Sequence, residues 1–486
     1  MTFAQLTDSY LSYMMPEIIL AIGTMIMMMV GAFSSKGGFK TVCVLSVLLW
    51  AGAGLYNQFV IPAGGVMDGF KYDNFSVFLK SMMVVGSIAA LLLAMKDLEN
   101  SIMARFEYPV LMGFSLLGLF LMVSSFDLIL LYVGLELSSL ALYVLAAFNR
   151  NSTVSSEAGL KYFVLGAIAS GLLLFGSSLL YGFAGATSFD AIQNAINAAN
   201  GGLPAVAAFG MAMVLAGLAF KIAAVPFHVW SPDVYEGAPT SVTAFFAIVP
   251  QIAAIGLIVH LVSGAFTAAN HDWRMIVTFM SVASMVVGAF GALVQRNLKR
   301  LLAYSSIANV GFLLIGLVAY TPESVSAMLL YMTIYMVTTI GIFSVVLQLR
   351  KGGHAIEKIA DLSGLGKTHP LMAYAMTAFM FSIAGIPPLA GFFAKLAIFN
   401  PAVALGYYTL AVIGVLTSVV GAWYYINIIR VMFFESAEDS NVTLDRAPVS
   451  MLITWVCVAL VVLFILAPSD FWFYTGNLLE GIVFTS

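Results

Sequence analysis

The stretch LAGLAFKIAAVPFHVW, Leu215–Trp230, sets a lysine and a proline inside an otherwise apolar run. A charged side chain at the middle of a bilayer costs at least about 2.5–3.5 kcal/mol, so it persists where it is paired or used. Pro226 follows Lys221 by five residues. Its ring removes a backbone donor and opens the helix, which a membrane tolerates only where the freed backbone lines a polar cavity. The same combination returns in FSIAGIPPLAGFFAKLAIF, Phe381–Phe399, where Pro387 and Pro388 stand ahead of Lys395. Interrupted hydrophobic segments in corresponding positions of two halves point to a transport site. The expected fold class is an all-α polytopic membrane protein.

The rest of the chain agrees. Of its 486 residues 62% are hydrophobic and 9% charged, against about 25% charged in soluble domains. A globule of this size could not clothe its surface with so few charges. A water-soluble protein, a nucleic-acid binder and a disordered chain are therefore excluded. The apolar runs are long and unbroken, unlike the alternating segments of about ten residues in a membrane β-barrel. Met1–Pro16 carries neither the basic start nor the small-residue cleavage site of a signal peptide, so the first run reads as a span. Cys43 and Cys457 lie far apart in apolar runs and offer no cluster spacing or disulfide framework.

Fourteen spans are expected, near 13–33, 41–61, 75–95, 107–125, 127–148, 160–184, 205–230, 241–265, 273–294, 301–320, 325–349, 371–399, 403–433 and 449–472. Cytoplasmic loops collect Lys and Arg. The odd-numbered connections hold Lys36, Lys40, Lys96, Arg105, Arg150, Lys161, Arg296, Lys299, Arg300, Arg350, Lys351, Lys358, Lys367, Arg430 and Arg446, which is 15 of the 20 cations. The even-numbered connections hold only Lys71 and Arg274, so both termini are expected to face outward. Lys80, Lys221 and Lys395 remain within spans. Spans 7 and 12 are five apart, and a repeat with an odd number of crossings must return inverted. Spans 4–8 and 9–13 would form such a pair. The divisions expected are 1–106 (three-helix addition), 107–268 (first repeat), 269–436 (second repeat) and 437–486 (C-terminal helix).

Glu136 falls near the middle of span 5 in LLYVGLELSSLALY. A carboxylate about 4 Å from an ammonium is worth roughly 4 kcal/mol at an effective dielectric near 20. Changing that separation would switch Lys221 between holding and releasing a proton. The plainer reading of Glu136, Lys221 and Lys395 is hydrogen-bonding glue between helices. Lys80, about five residues into span 3, is expected to snorkel to the interface. Glu17 could sit at the interface or face a partner. His260 could relay protons or simply be hydrogen-bonded within the bundle. His228 follows the Pro226 break, where water should reach the backbone, and Lys161 opens span 6.

The run FKIAAVPFHVWSPDVYEGAPTSVTAF, Phe220–Phe245, resembles the signature of the antiporter-like membrane subunits of respiratory complex I, and within that family the subunit N type. YVGLELSSLALYVLAAF around Glu136, EAGLKYFVLGAIASG around Lys161, NLKRLLAYSSIANVGF around Tyr304 and SIAGIPPLAGFFAKL around Lys395 are similar to the same family in the same order. The resemblance spans essentially the whole chain. It implies two inverted five-helix bundles with broken helices 7 and 12. It also implies one proton-pumping module of an H+-translocating NADH:quinone oxidoreductase, with no redox chemistry on this chain. Glu136 would modulate Lys221, and Lys395 would be the terminal lysine from which the proton leaves outward.

NADH, flavin, iron–sulfur clusters and quinone would belong to partner subunits, and the sequence has no Rossmann fingerprint or phosphate loop. The partners implied are the other membrane-arm subunits, antiporter-like paralogues among them, together with membrane lipid. Two positions depart from the family. Gln251 stands where a lysine usually bridges the half-channels, and Asn309 replaces a frequent histidine after the YSSI motif. A glutamine cannot hold an excess proton, so either His260 takes that role or a water chain does. The alternative function is a subunit of a multisubunit Na+/H+ antiporter. The expected location is a bacterial inner membrane, with a mitochondrial inner membrane as the alternative.

Overall fold

The computed structural model describes residues 3–34, 38–60, 65–67, 69–99, 101–199, 202–352, 354–436, 442–445, 447–466, 475–479, 482 and 484. Lys36, Arg446 and the end of the last expected span, 467–472, lie outside the described residues. In chain order the helices are α1 (Phe3–Phe33), α2 (Gly38–Leu55), α3 (Asn74–Leu98), α4 (Glu107–Val123), α5 (Leu128–Ala146), α6 (Thr153–Ala184) and α7 (Phe189–Ala198). There follow α8 (Ala205–Lys221), α9 (Trp230–Gly237), α10 (Thr240–Phe246), α11 (Val249–Ser263), α12 (Asn270–Leu293) and α13 (Leu298–Ala319). The last six are α14 (Pro322–Gln348), α15 (Leu365–Thr368), α16 (Pro370–Ala384), α17 (Ala390–Ala404), α18 (Tyr408–Phe434) and α19 (Pro448–Leu463). Many starts are written locally. Asp73, Asp127, Ser152, Ser188, Asn297 and Thr321 each precede a helix and accept a backbone N–H from its first turn.

Among the described residues eleven helical stretches are long and apolar enough to cross a membrane, and α4, α8, α16 and α17 are shorter apolar helices. Three of the expected spans are interrupted. Helix α8 stops at Lys221, and helix resumes only at Trp230, with Ala223 in left-handed backbone at φ 54°. Gly385, at φ 85°, ends α16 ahead of α17. The expected eighth span, read as continuous, is instead α10 and α11, split just ahead of Pro250, whose ring cannot donate to the preceding turn. Helix α7 is additional to the expected spans. It buries Phe189, Ile192 and Ile196 along one face and is too short to cross. Two small antiparallel sheets complete the chain: β1 (Gly65–Met67) with β2 (Phe70–Tyr72), and β3 (Leu349–Lys351) between β4 (His354–Ala355) and β5 (Val442–Leu444).

Burial separates the centre from the rim. The most apolar 18-residue window of Thr240–Ser263 is 100% buried, against 22% for Pro448–Leu466. On α18 the exposed side chains Leu416, Val419 and Trp423 are apolar and follow helical spacing, as a lipid-facing stripe requires. Neighbouring helices approach through small residues. A Cβ added at Gly176 of α6 would stand 2.7 Å from the Gly210 carbonyl oxygen of α8, and one at Gly210 would stand 3.0 Å from that of Gly176. Lipid offers no hydrophobic drive between helices, so such close packing supplies the attraction. Gly176→Val is expected to force the two helices apart at a cost of about 1–3 kcal/mol, read as a lowered melting temperature of the detergent-solubilised protein.

Candidate functional site

Lys221 is the last residue of α8 and is buried beneath α5 and α6. Its Nζ donates to Ser138 Oγ at 3.1 Å and to Ser139 Oγ at 2.9 Å. The break beyond it is satisfied from outside the helix, as non-helical backbone at membrane depth must be. Trp230 Nε1 donates to Phe220 O at 2.9 Å, and Val225 N donates to Ser284 Oγ at 2.9 Å. The Trp230 ring stacks on Tyr162 with centroids 4.4 Å apart. Val225–Pro226 and Pro387–Pro388 are cis peptides.

Glu136 shares α5 with the two serines, yet its carboxylate accepts from Ser170 Oγ on α6. No ion pair joins Glu136 to Lys221 among the described residues: in place of the direct 4 Å contact considered above, each group is bonded to serine hydroxyls of its own. A cavity of about 10 Å³, lined by Ser139, Tyr143, Tyr162 and Ser170, opens beside Lys221. That is room for about one water.

Lys395, on α17, is buried as well. Its Nζ donates to Ala384 O at 2.9 Å and to Ser418 Oγ at 2.8 Å. Ala384 ends α16, so its carbonyl lacks an intrahelical partner, and an ammonium is favoured at that negative end of the helix. The Phe312 ring lies 5.0 Å from Nζ. A cavity of about 20 Å³, lined by Asn309, Tyr331, Tyr335, Thr338, Ser382 and Lys395, opens beside it.

Gln251 reaches toward this second centre. Its Nε2 donates to Ser306 Oγ at 2.6 Å. One turn along α13, Asn309 donates to Ser305 O at 2.7 Å and accepts from Tyr331 Oη at 2.5 Å. Gln251 thus touches α13 at Ser306, three residues before the Asn309 that lines the Lys395 cavity, and among the described residues no hydrogen bond joins Ser306 to Asn309 or Lys221 to Gln251. His260 is turned elsewhere. Nine residues beyond Gln251, about 13 Å along the helix axis, its Nε2 lies 3.4 Å from Oδ2 of Asp73, the N-cap of α3. His228 is half-buried in the break, and its Nδ1 finds no partner among the described residues.

Several polar residues were not anticipated. Asp233 and Glu236 of α9 meet Arg300 of α13 at 2.6 and 2.9 Å, and Asp233 also meets Lys161 of α6 at 2.8 Å. The acidic pair in SPDVYEG therefore ties the broken segment to both neighbours. Lys80 does not snorkel. It is fully buried, 2.5 Å from Glu17, and ringed by Phe70, Tyr72 and Phe120 at 5.2, 5.0 and 5.5 Å. Among the described residues no three His, Cys, Asp or Glu side chains gather as metal ligands would.

Residues 125–421 match the family model described as NADH:quinone oxidoreductase/Mrp antiporter, transmembrane. A protein of Methylobacterium nodulans named NADH-quinone oxidoreductase subunit N is 47% identical over 473 residues, 96% of this chain and 97% of its own. The protein of that name from Rhodospirillum rubrum is 48% identical over 459 residues, 94% of each chain. A chain of respiratory complex I from Thermus thermophilus superposes with a TM-score of 0.79 at 29% identity, covering 94% of this chain and 98% of its own. A chain of the Mrp complex from Dietzia sp. shares the fold, with a TM-score of 0.82 at 21% identity and 97% of each chain covered. The chain belongs to the family of NADH:quinone oxidoreductase and Mrp antiporter membrane subunits.

Proposed function

We propose that this chain is a proton-translocating, antiporter-like membrane subunit of an NADH:quinone oxidoreductase, of the subunit N type. The relatives covering nearly its full length carry that name. The observation that carries the reading is the pair of buried lysines, each beside a helix break and each facing a hydroxyl-lined cavity. The bundle is read as fourteen spans, with inverted repeats over 107–268 and 269–436, additions at 1–106 and 437–486, and both termini on the outer face of a bacterial inner membrane. NADH, flavin, iron–sulfur clusters and quinone belong to partner subunits, and the neighbours within the membrane are other membrane-arm subunits and lipid.

A rearrangement begun in those partners shifts the Glu136 carboxylate relative to Lys221. Lys221 then passes its proton toward Gln251 by water rather than through a resident base, since His260 is engaged with Asp73. Water bridging Ser306 to the Asn309–Tyr331 pair delivers it to Lys395, which releases it outward. Moving one charge against 100 mV costs about 2.3 kcal/mol. Bringing a carboxylate from about 8 Å into a direct contact of about 4 Å at a dielectric near 20 changes its interaction by about 2 kcal/mol, so one such movement is of the right size. Glu136→Gln is therefore expected to lower NADH-driven proton uptake into inverted membrane vesicles about thirtyfold, with assembly and sodium independence retained. Normal proton-to-electron stoichiometry in the assembled variant would refute the relay, and uptake that requires sodium would favour the antiporter reading.

A further inference from the structure

We propose that the groove between α4, α5 and α6 binds an anionic phospholipid, with its phosphate between Arg105 and Arg150 and an acyl chain along Leu111, Val144 and Phe163. A cavity of about 540 Å³ lies there, lined by these five residues and Glu107 among others. That volume falls within the range of small-molecule sites. Its walls are apolar and firmly held: Phe148 packs edge-on against Tyr108 at 5.3 Å, and Phe163 against Tyr143 at 5.8 Å. Val144 and Phe163 remain 53% and 49% exposed, so the groove opens sideways into the hydrocarbon.

The rim carries the opposite chemistry. Arg300, Arg350 and Arg430 each hold a carboxylate, whereas Arg105 and Arg150 hold none among the described residues. Arg105 spends only its Nε, on Ile102 O at 3.3 Å, which leaves its terminal nitrogens for another acceptor. Two guanidinium groups above an apolar slot match a phosphodiester above an acyl chain, and basic pockets between membrane helices bind such head groups. Glu107 stands at the same rim. Its carboxylate repels a second phosphate and accepts from a hydroxyl, so the head group selected is a singly charged one bearing hydroxyls, as in phosphatidylglycerol. Assignment to the inner leaflet rests on the orientation proposed above, whereas the site itself does not.

The test uses the assembled complex incubated with phosphatidylglycerol or phosphatidylcholine carrying the same photoactivatable acyl chain, with labelled peptides mapped by mass spectrometry. The expected result is labelling of the Val144 and Phe163 peptides by phosphatidylglycerol about 25-fold above phosphatidylcholine, from about fivefold for each basic side chain. In Arg105→Gln/Arg150→Gln the preference falls to unity, and in Arg105→Lys/Arg150→Lys most of it survives, while labelling of the α18 rim is unchanged in both. Equal labelling by the two head groups in the native complex would overturn the proposal by reducing the groove to ordinary annular lipid. Absence of label there would overturn it by indicating that a neighbouring subunit covers the face. Neither result depends on proton translocation, so this failure is separable from a failure of the proposed function.

Discussion

Lys221→Met is expected to abolish proton translocation while leaving the protein folded and assembled. The methionine keeps the length and apolar bulk of the lysine stem and removes the one atom that holds a proton. The hydroxyls that accepted from Nζ are not orphaned, because Ser138 and Ser139 already donate to Leu135 O at 2.9 and 2.7 Å. Loss of a positioned proton carrier typically costs about 10²–10⁴-fold, and NADH-driven proton uptake into inverted vesicles should fall by that order. Lys221→Arg separates titration from charge. A guanidinium stays protonated at any accessible pH, so the arginine variant should be as inactive as the methionine one. Native uptake in Lys221→Arg would show that a fixed positive charge suffices and would end the relay account.

Removing Glu17 alone is expected to damage the protein more than removing Glu17 and Lys80 together. Lys80 and Glu17 are 0% and 3% exposed and form the ion pair that anchors α1 to α3. Aromatic faces surround the ammonium, but they do not replace an anion. Breaking one half of a buried pair typically costs about 3–5 kcal/mol, whereas apolar replacement of both halves is often neutral. Glu17→Leu should therefore sharply lower the melting temperature of the purified complex, and Glu17→Leu/Lys80→Met should recover most of that loss. Additive effects in this cycle would mean that the two side chains act independently.

Charges within apolar runs made Lys221, Lys395 and Glu136 legible, since few reasons exist to keep them there. Their partners were not legible. Ser138, Ser139, Ser170 and Ser418 are small polar residues of a kind that helices carry for many purposes, and nothing in their spacing marks them as acceptors. The burial of Lys80 is not legible from its depth along the chain alone. The β1–β2 hairpin folds Phe70 and Tyr72 over the start of α3 and closes the way to the interface. Gln251 and His260 sit on one helix and look like alternatives for one role, yet a separation of nine residues sends them to different neighbours. The proline breaks at Pro226 and Pro387–Pro388 could be read from sequence beside their lysines, while Pro250 carries the same backbone signal with no buried charge to draw attention to it.

Lys221 and Lys395 are each held by two neutral acceptors: the serine pair for Lys221, a carbonyl and a serine for Lys395. An ammonium carries three hydrogens and a free amine two. The surplus hydrogen is the one that can depart, and the amine left behind keeps both of its moorings. Under the proposed relay, emptying and refilling these groups would need no re-anchoring of the side chain, and the helix end capped by Lys395 would stay capped throughout.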